Sequence, residues 1–379
     1  MKPLSDFRLE EYLSPREFSS SIMFCSSDLE SRSISDLLSL ATEAERNQFL
    51  NLSLKYTAPA GDPELLESLA RMIPGLRSKN FYCFAGAEEA IYTAARALLE
   101  EEDHAIVITP CYQSLKSVAA SFCEVSEVSL DKEGQDWHLD LEKVSSAIKT
   151  NTKMIFVNFP HNPTGFIPSH ETFNELIQLA RKSGIYLFSD EVYQGLSLDP
   201  KFTLPNASVL YERALSLGVT SKSFGLAGLR VGWISCQDEK VLEKLAKYKH
   251  YLSICNSAPS EFLAKIAIDH REEILAENLQ ILAHNFKLLK DYFSINGDLF
   301  EWMQPQGGCI CYPRYRGVER ITDLADALLK KYGVVILPDW VYEQENNHFR
   351  ISFGRKNMPQ ALALFDQFFR EDRKSNTPR

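Results

Sequence analysis

The chain has 379 residues, of which 45% are hydrophobic and 24% charged, with a formal net charge of −10 at pH 7. This is the composition of a folded globular protein, not of a disordered or fibrous one, and the length suits one large lobe and a smaller one. The acidic balance offers no general attraction to phosphodiester backbones or anionic bilayers, so neither nucleic acid nor membrane is expected as a partner. No stretch reaches the roughly eighteen apolar residues of a membrane span, and MKPLSDFRLEEYL lacks a signal peptide's apolar core, which predicts a cytoplasmic location.

From about residue 80 to 235, short apolar runs alternate with helical patterns, the signature of an α/β fold with a mostly parallel sheet flanked by helices. FYCFA (81–85), AIVIT (105–109), MIFVNF (154–159) and IYLFS (185–189) are continuous apolar runs, as expected of strands covered on both faces. Between the last two, Phe173, Leu176, Ile177 and Ala180 fall at i, i+3, i+4 and i+7, predicting a crossover helix with Ser169 as N-cap and Gly184 as its stop. LSLGV (215–219) is a further run. After residue 237 the pattern is mainly helical to about 294, then come short strands near 309–312, 333–336 and 349–353 and a closing helix at 359–370. This reads as a smaller α+β domain. REDRKSNTPR reads as a solvated, frayed tail. The eight cysteines form no CxxC, and no histidine completes a zinc spacing, so they read as buried free thiols and no metal is expected; Cys309 and Cys311 suit packing on one strand face.

In open α/β sheets ligands bind beyond the carboxyl ends of the strands. Four such ends carry polar motifs: PCY after AIVIT, PHNPTG after MIFVNF, SDEVYQG starting at the last residue of IYLFS, and TSKSFGLAGLRVGW after LSLGV. Lys222 follows an apolar strand and precedes a glycine-rich turn, where its amine can be desolvated and its pKa lowered toward imine chemistry; most lysines are instead solvated surface charges. Asp190 ends a buried strand, either as a structural hydrogen-bond acceptor or as the partner of a cation.

Tyr56 and Gly61 in KYTAPAG, Gly86 in FAGAEEA, Tyr112, Asn162 in NPTG, Asp190 and Tyr193 in DEVY, Lys222, Arg230, and Arg350 in HFRISFG follow one another in order over nearly the whole chain. This set resembles the fold-type I, pyridoxal 5′-phosphate (PLP) dependent enzymes of the class I/II aminotransferase family. The resemblance implies a PLP-binding large domain over 45–250 and a small domain formed by 1–44 plus 251–379. It implies that Lys222 holds PLP as a Schiff base and shuttles the proton between Cα and C4′, and that Asp190 pairs with the pyridinium nitrogen to keep the ring an electron sink. Asn162 and Tyr193 match the residues that bond the cofactor's 3′-oxygen, with turn asparagine and core tyrosine as the alternative. Tyr112 matches the aromatic stacked on the ring, or is a core tyrosine at a helix start.

For the phosphate, Arg230 suits a bidentate contact, the backbone amides of Ala87 and Glu88 open a helix that can cradle the anion, and Ser221 joins the cofactor contacts. Two positions depart from the family: Val219 stands where a serine is usual, and the Glu88 carboxylate lies near the phosphate cup. Tyr56 matches a tyrosine given by the neighbouring subunit, implying a homodimer with shared active sites. Arg350 lies in an apolar strand and needs an anionic partner, either an internal Asp or Glu or, as in the family, the substrate α-carboxylate, with Asn162 beside it.

The activity so implied is transamination between an L-amino acid and a 2-oxo acid. A carbon–sulfur β-lyase or an amino-acid cyclase on the same scaffold is the alternative; FRLEEYL (7–13) and KHYLSICNSAPSE (249–261) are similar to segments of proteins near the cyclases of peptide-antibiotic pathways. A non-catalytic PLP-binding sensor is disfavoured because the match begins near residue 5, leaving no room for a preceding DNA-binding domain. An inactive homologue would lack Lys222, Asp190 or Arg350.

Overall fold

The computed structural model describes residues 2–17 and 22–376. Seven strands form the main sheet: β1 (Phe81–Phe84), β2 (His104–Thr109), β3 (Glu124–Ser129), β4 (Thr152–Asn158), β5 (Tyr186–Asp190), β6 (Ala214–Val219) and β7 (Gly232–Ser235). Their spatial order is β1-β7-β6-β5-β4-β2-β3, parallel from β6 through to β3, with β7 antiparallel to both its neighbours. Every residue of β1, β2, β5 and β7 is buried, which explains the unbroken apolar runs.

β7 is the strand the periodicity did not announce. It begins two residues after Arg230, and Trp233 lies opposite Gly218 on β6. A Cβ on Gly218 would stand 2.3 Å from the indole, so the glycine in LSLGV is there to make room for the Trp233 ring.

Helices α1 (Arg8–Glu17), α2 (Ala87–Leu98), α3 (Gln113–Phe122) and α4 (His170–Ser183) are the ones that bear on the site. The expected crossover is α4: the Ser169 side chain accepts from the Thr172 amide at 3.0 Å, Phe173, Leu176, Ile177 and Ala180 are buried, and Gly184 ends it at φ +65°. The long α5 (Arg271–Ile295) and the closing α6 (Met358–Asn376) flank the C-terminal strands. α6 outruns the expected stop at 370 by more than a turn, so the tail is helical through Asn376; its last three residues, 377–379, lie outside the described residues.

The C-terminal strands are β8 (Ile310–Cys311), β9 (Leu337–Pro338) and β10 (Phe349–Ser352), with β10 between the other two. Ile22–Met23 pairs in parallel with Val334–Val335, and the Ser352 amide donates to the Phe24 carbonyl at 2.7 Å. These bonds lay residues 24–28 along β10. All eight cysteines are free thiols, and no described helix is long and apolar enough to cross a membrane.

Candidate active site

The carboxyl ends of β4, β5 and β6 open into a cleft of ≈ 230 Å³ that α1, Met23, residues 26–28 and the first turn of α2 also line. In-register pairing sets Asn158 beside Asp190, and Asp190 beside Leu217, so three strand ends arrive at one depth. The Asn158 amide side chain donates to the Asp190 carbonyl at 2.9 Å, and its Oδ1 accepts from the Asn162 amide at 2.7 Å, tying the NPTG turn to the strand below it. Asn158 was missed in the sequence, although its place at the end of an apolar run was the available signal.

Lys222 and Asp190 both line this cleft. Lys222 Nζ donates to Ser27 Oγ at 2.8 Å, and burial lowers the amine's pKa. Asp190 is 4% exposed; its Oδ1 accepts from the Val192 amide at 3.1 Å. Burial pushes its carboxyl up to about 7, against the opposing pull of that hydrogen bond and of Lys222. A carboxylate held so high, with no salt bridge among the described residues, is one that a cationic ring nitrogen would relieve.

Gly86 precedes α2 as its N-cap with no side-chain cap, and Ala87 and Glu88, whose amides belong to the uncapped first turn, line the cleft. Gly86 has φ +96°, and a Cβ there would stand 2.5 Å from Arg230 Nη2, so the guanidinium packs directly over the glycine. Arg230 is itself left-handed at φ 54° and donates to the Ala227 carbonyl at 3.1 Å. Ser221 Oγ is buried without a hydrogen-bond partner. An uncapped helix end, an arginine and an orphan hydroxyl on one wall match the needs of a phosphate, so the residues present fit PLP. Val219, the departure from serine, lines the same wall. Glu88 Oε2 accepts from Ser114 on α3 at 2.7 Å.

Tyr112 caps the start of α3 and lines the cleft, its phenol raised well above the usual range by burial and by neighbouring Glu88. Tyr193 lines it as well, and its hydroxyl donates to the Ser27 carbonyl at 2.8 Å. Arg350 is 1% exposed. Its Nη1 donates to Asn162 Oδ1 at 3.2 Å and to the Tyr342 hydroxyl at 2.8 Å, while Nε and Nη2 donate to the Cys25 carbonyl. The internal carboxylate partner considered in the sequence is thus absent among the described residues; neutral oxygens hold the guanidinium. Cys25, Ser27 and Tyr342 carried no motif, since only the pairing of residues 22–28 with the C-terminal strands brings them here.

Two candidates do not line the cleft: Arg350, which lies behind Asn162 and bonds to it, and Tyr56. Tyr56 is 84% exposed and sits on a separate surface with Leu52 and Thr57.

The family model for aminotransferase class I and II matches residues 22–363. Capreomycidine synthase of Streptomyces vinaceus is 28% identical over 364 residues, covering 95% of this chain and 92% of that protein. Aspartate aminotransferase of Thermotoga maritima is 26% identical over 326 residues, covering 83% of each. A solved PLP-dependent aminotransferase from Streptococcus suis superposes with a TM-score of 0.91 at 26% identity, over 97% of this chain and 98% of that one. The chain belongs to the class I and II aminotransferase family, and it is a pyridoxal-phosphate-dependent transferase.

Proposed function

We propose that the protein moves the α-amino group of an L-amino acid to a 2-oxo acid, with PLP bound covalently through Lys222. The observation that carries this reading is the convergence of a desolvated lysine, a buried carboxyl raised to about 7 and an uncapped helix end on one cleft. When bound, the cofactor supplies an electron sink for the pair left at Cα as its proton departs. Asp190 holds the proton on the ring nitrogen. Lys222, released when the substrate's amine takes its place and with its basicity lowered by burial, would take the proton from Cα and return it to C4′. Arg230, Ser221 and the α2 amides would hold the phosphate, Tyr112 would lie against the ring, and Arg350 with Asn162 would bind the α-carboxylate. Tyr193 serves the 3′-oxygen by turning its hydroxyl from the Ser27 carbonyl.

A homodimer completes the site in this reading. Tyr56, Leu54, Tyr251 and Ile254 are all exposed, a surface that a second copy would cover while delivering Tyr56 to the neighbouring cleft. Sedimentation of the purified protein tests the dimer; mixing a Tyr56 variant with a Lys222 variant tests the sharing, since only shared sites regain activity.

Ring closure is the second reading, favoured by the match to capreomycidine synthase over nearly the whole chain. The two differ in stoichiometry. An aminotransferase given an amino acid alone converts its yellow cofactor once to the aminated form, and a 2-oxo acid restores the colour. Sustained product formation with no acceptor and the yellow colour unchanged would overturn transamination.

A further inference from the structure

Lys222 Nζ donates to Ser27 Oγ at 2.8 Å, although the carboxyls of Asp28 and Asp190 both act on it from nearby. Asp28 is committed to Arg355, whose Nη2 reaches its two oxygens at 2.7 and 2.9 Å, and Asp190 Oδ1 accepts from the Val192 amide. Lys222 takes part in no salt bridge among the described residues; a neutral hydroxyl holds its amine.

That hydroxyl is fixed in place. The Ser352 amide donates to the Phe24 carbonyl at 2.7 Å and the Glu30 amide to the Gly354 carbonyl at 3.0 Å, so the backbone is tied to β10 and its continuation on both sides of Ser27. Two glycines admit it. A Cβ on Gly225, in the turn that follows Lys222, would stand 2.3 Å from the Glu30 carbonyl oxygen, and one on Gly354, just past β10, would stand 2.8 Å from that of Asp28.

We propose that Ser27 is a positioning residue for Lys222: its hydroxyl holds the amine that the substrate has released and accepts a hydrogen bond from the ammonium formed when that amine takes the Cα proton. The inference rests on the aminotransferase reading above, in the step that reading shares with ring closure, proton removal by Lys222. The proton that moves passes from Cα to Nζ, and Ser27 keeps its own. A carboxylate in the same place would hold the lysine as ammonium and leave no base, whereas a hydroxyl orients the amine and lets burial keep its pKa low. The titratable groups facing Lys222 are Asp28, Asp190, Cys309, Arg350 and, from α1, Glu10. All of them remain in a Ser27 variant, so its effect reads the hydroxyl alone.

The first readout needs no cofactor. Competitive acetylation of the apoprotein across pH, followed by peptide mapping, gives the pKa of Lys222. Ser27→Ala should lower it by about one unit, a tenfold change in proton affinity, because the hydroxyl bonds the charged amine more strongly than the neutral one. Ser27→Thr, which keeps the hydroxyl, should stay with the wild type, and so should Ser26→Ala, at the neighbouring serine of the same cleft. The second readout is the pH profile of the holoenzyme. Since the base must be neutral to act, the acid limb of kcat should move to lower pH in Ser27→Ala, with plateau kcat down about tenfold and KM changed by no more than about twofold. A Lys222 pKa unchanged in Ser27→Ala, or lowered equally in the threonine variant, would overturn the inference and leave the aminotransferase reading standing. A borohydride adduct on a lysine other than Lys222 would bring down that reading, and this inference with it.

Discussion

Nε and Nη2 of Arg350, the two donors that make the guanidinium fork, both point to the Cys25 backbone carbonyl, at 3.1 and 2.8 Å. A substrate carboxylate that took this pair of donors would have to displace that carbonyl. Arg350→Ala should retain the cofactor and weaken apparent amino-acid affinity by on the order of 2–5 kcal/mol, the cost of losing one partner of a buried charged pair. Arg350→Lys should rescue little, because an ammonium cannot present two parallel donors. Spectral titration with amino acid measures both, and unchanged affinity in the alanine variant would return Arg350 to a purely structural role.

Asp190 couples the cofactor to pH. Burial raises its folded-state pKa from 3.8 to about 7, so between those values the folded apoprotein binds more protons than the unfolded chain. Stability of the apoprotein should therefore fall as pH rises through that window, and Asp190→Asn should flatten the slope. Denaturant midpoints of both apoproteins across the window supply the check; parallel slopes would refute it.

With the cofactor bound, Asp190→Asn should keep the fold and lose on the order of 10²–10³-fold in rate, the usual scale for removing one aligned electrostatic group. An amide cannot hold the ring nitrogen protonated. A variant within a few-fold of wild-type rate would show that Asp190 is not the ring's partner.

Borohydride reduction followed by peptide mapping should find the cofactor on Lys222. Lys249 is the competitor worth excluding: it is wholly buried with a lowered pKa, yet its Nζ is bonded to the carbonyl of Cys83 and to Asn256 Oδ1. An adduct on any lysine but Lys222 would end the assignment.

Gly86→Ala should weaken cofactor retention with little change in the far-UV spectrum. The added methyl would stand 2.5 Å from Arg230 Nη2, at a φ of +96° that costs an L-residue about 1–3 kcal/mol. Relief comes by moving the guanidinium, which is the group argued to bind phosphate. Dialysis against buffer without PLP measures the loss, and retention equal to wild type would contradict this placement of the phosphate.

How much of this was legible in sequence follows from which interactions are local. Continuous apolar runs, the Ser169 cap and the Gly184 stop are set by neighbours a few residues apart, so the parallel strands and the crossover helix could be read directly. Lys222, Asp190, Asn162 and Arg230 sit at strand ends or in the turns just beyond, where motif and position agree, and the fold brings them to one cleft. β7 was not legible, because its pairing with β6 places Trp233 on Gly218, fifteen residues removed along the chain. Nor were the neutral partners of Arg350 or the bond from Lys222 to Ser27. Each depends on the N-terminal segment crossing some 200 to 330 positions of sequence to lie against β10 and the cleft. The family's motifs were written in short stretches of sequence; the lining of the cleft was completed only when α1 folded over them.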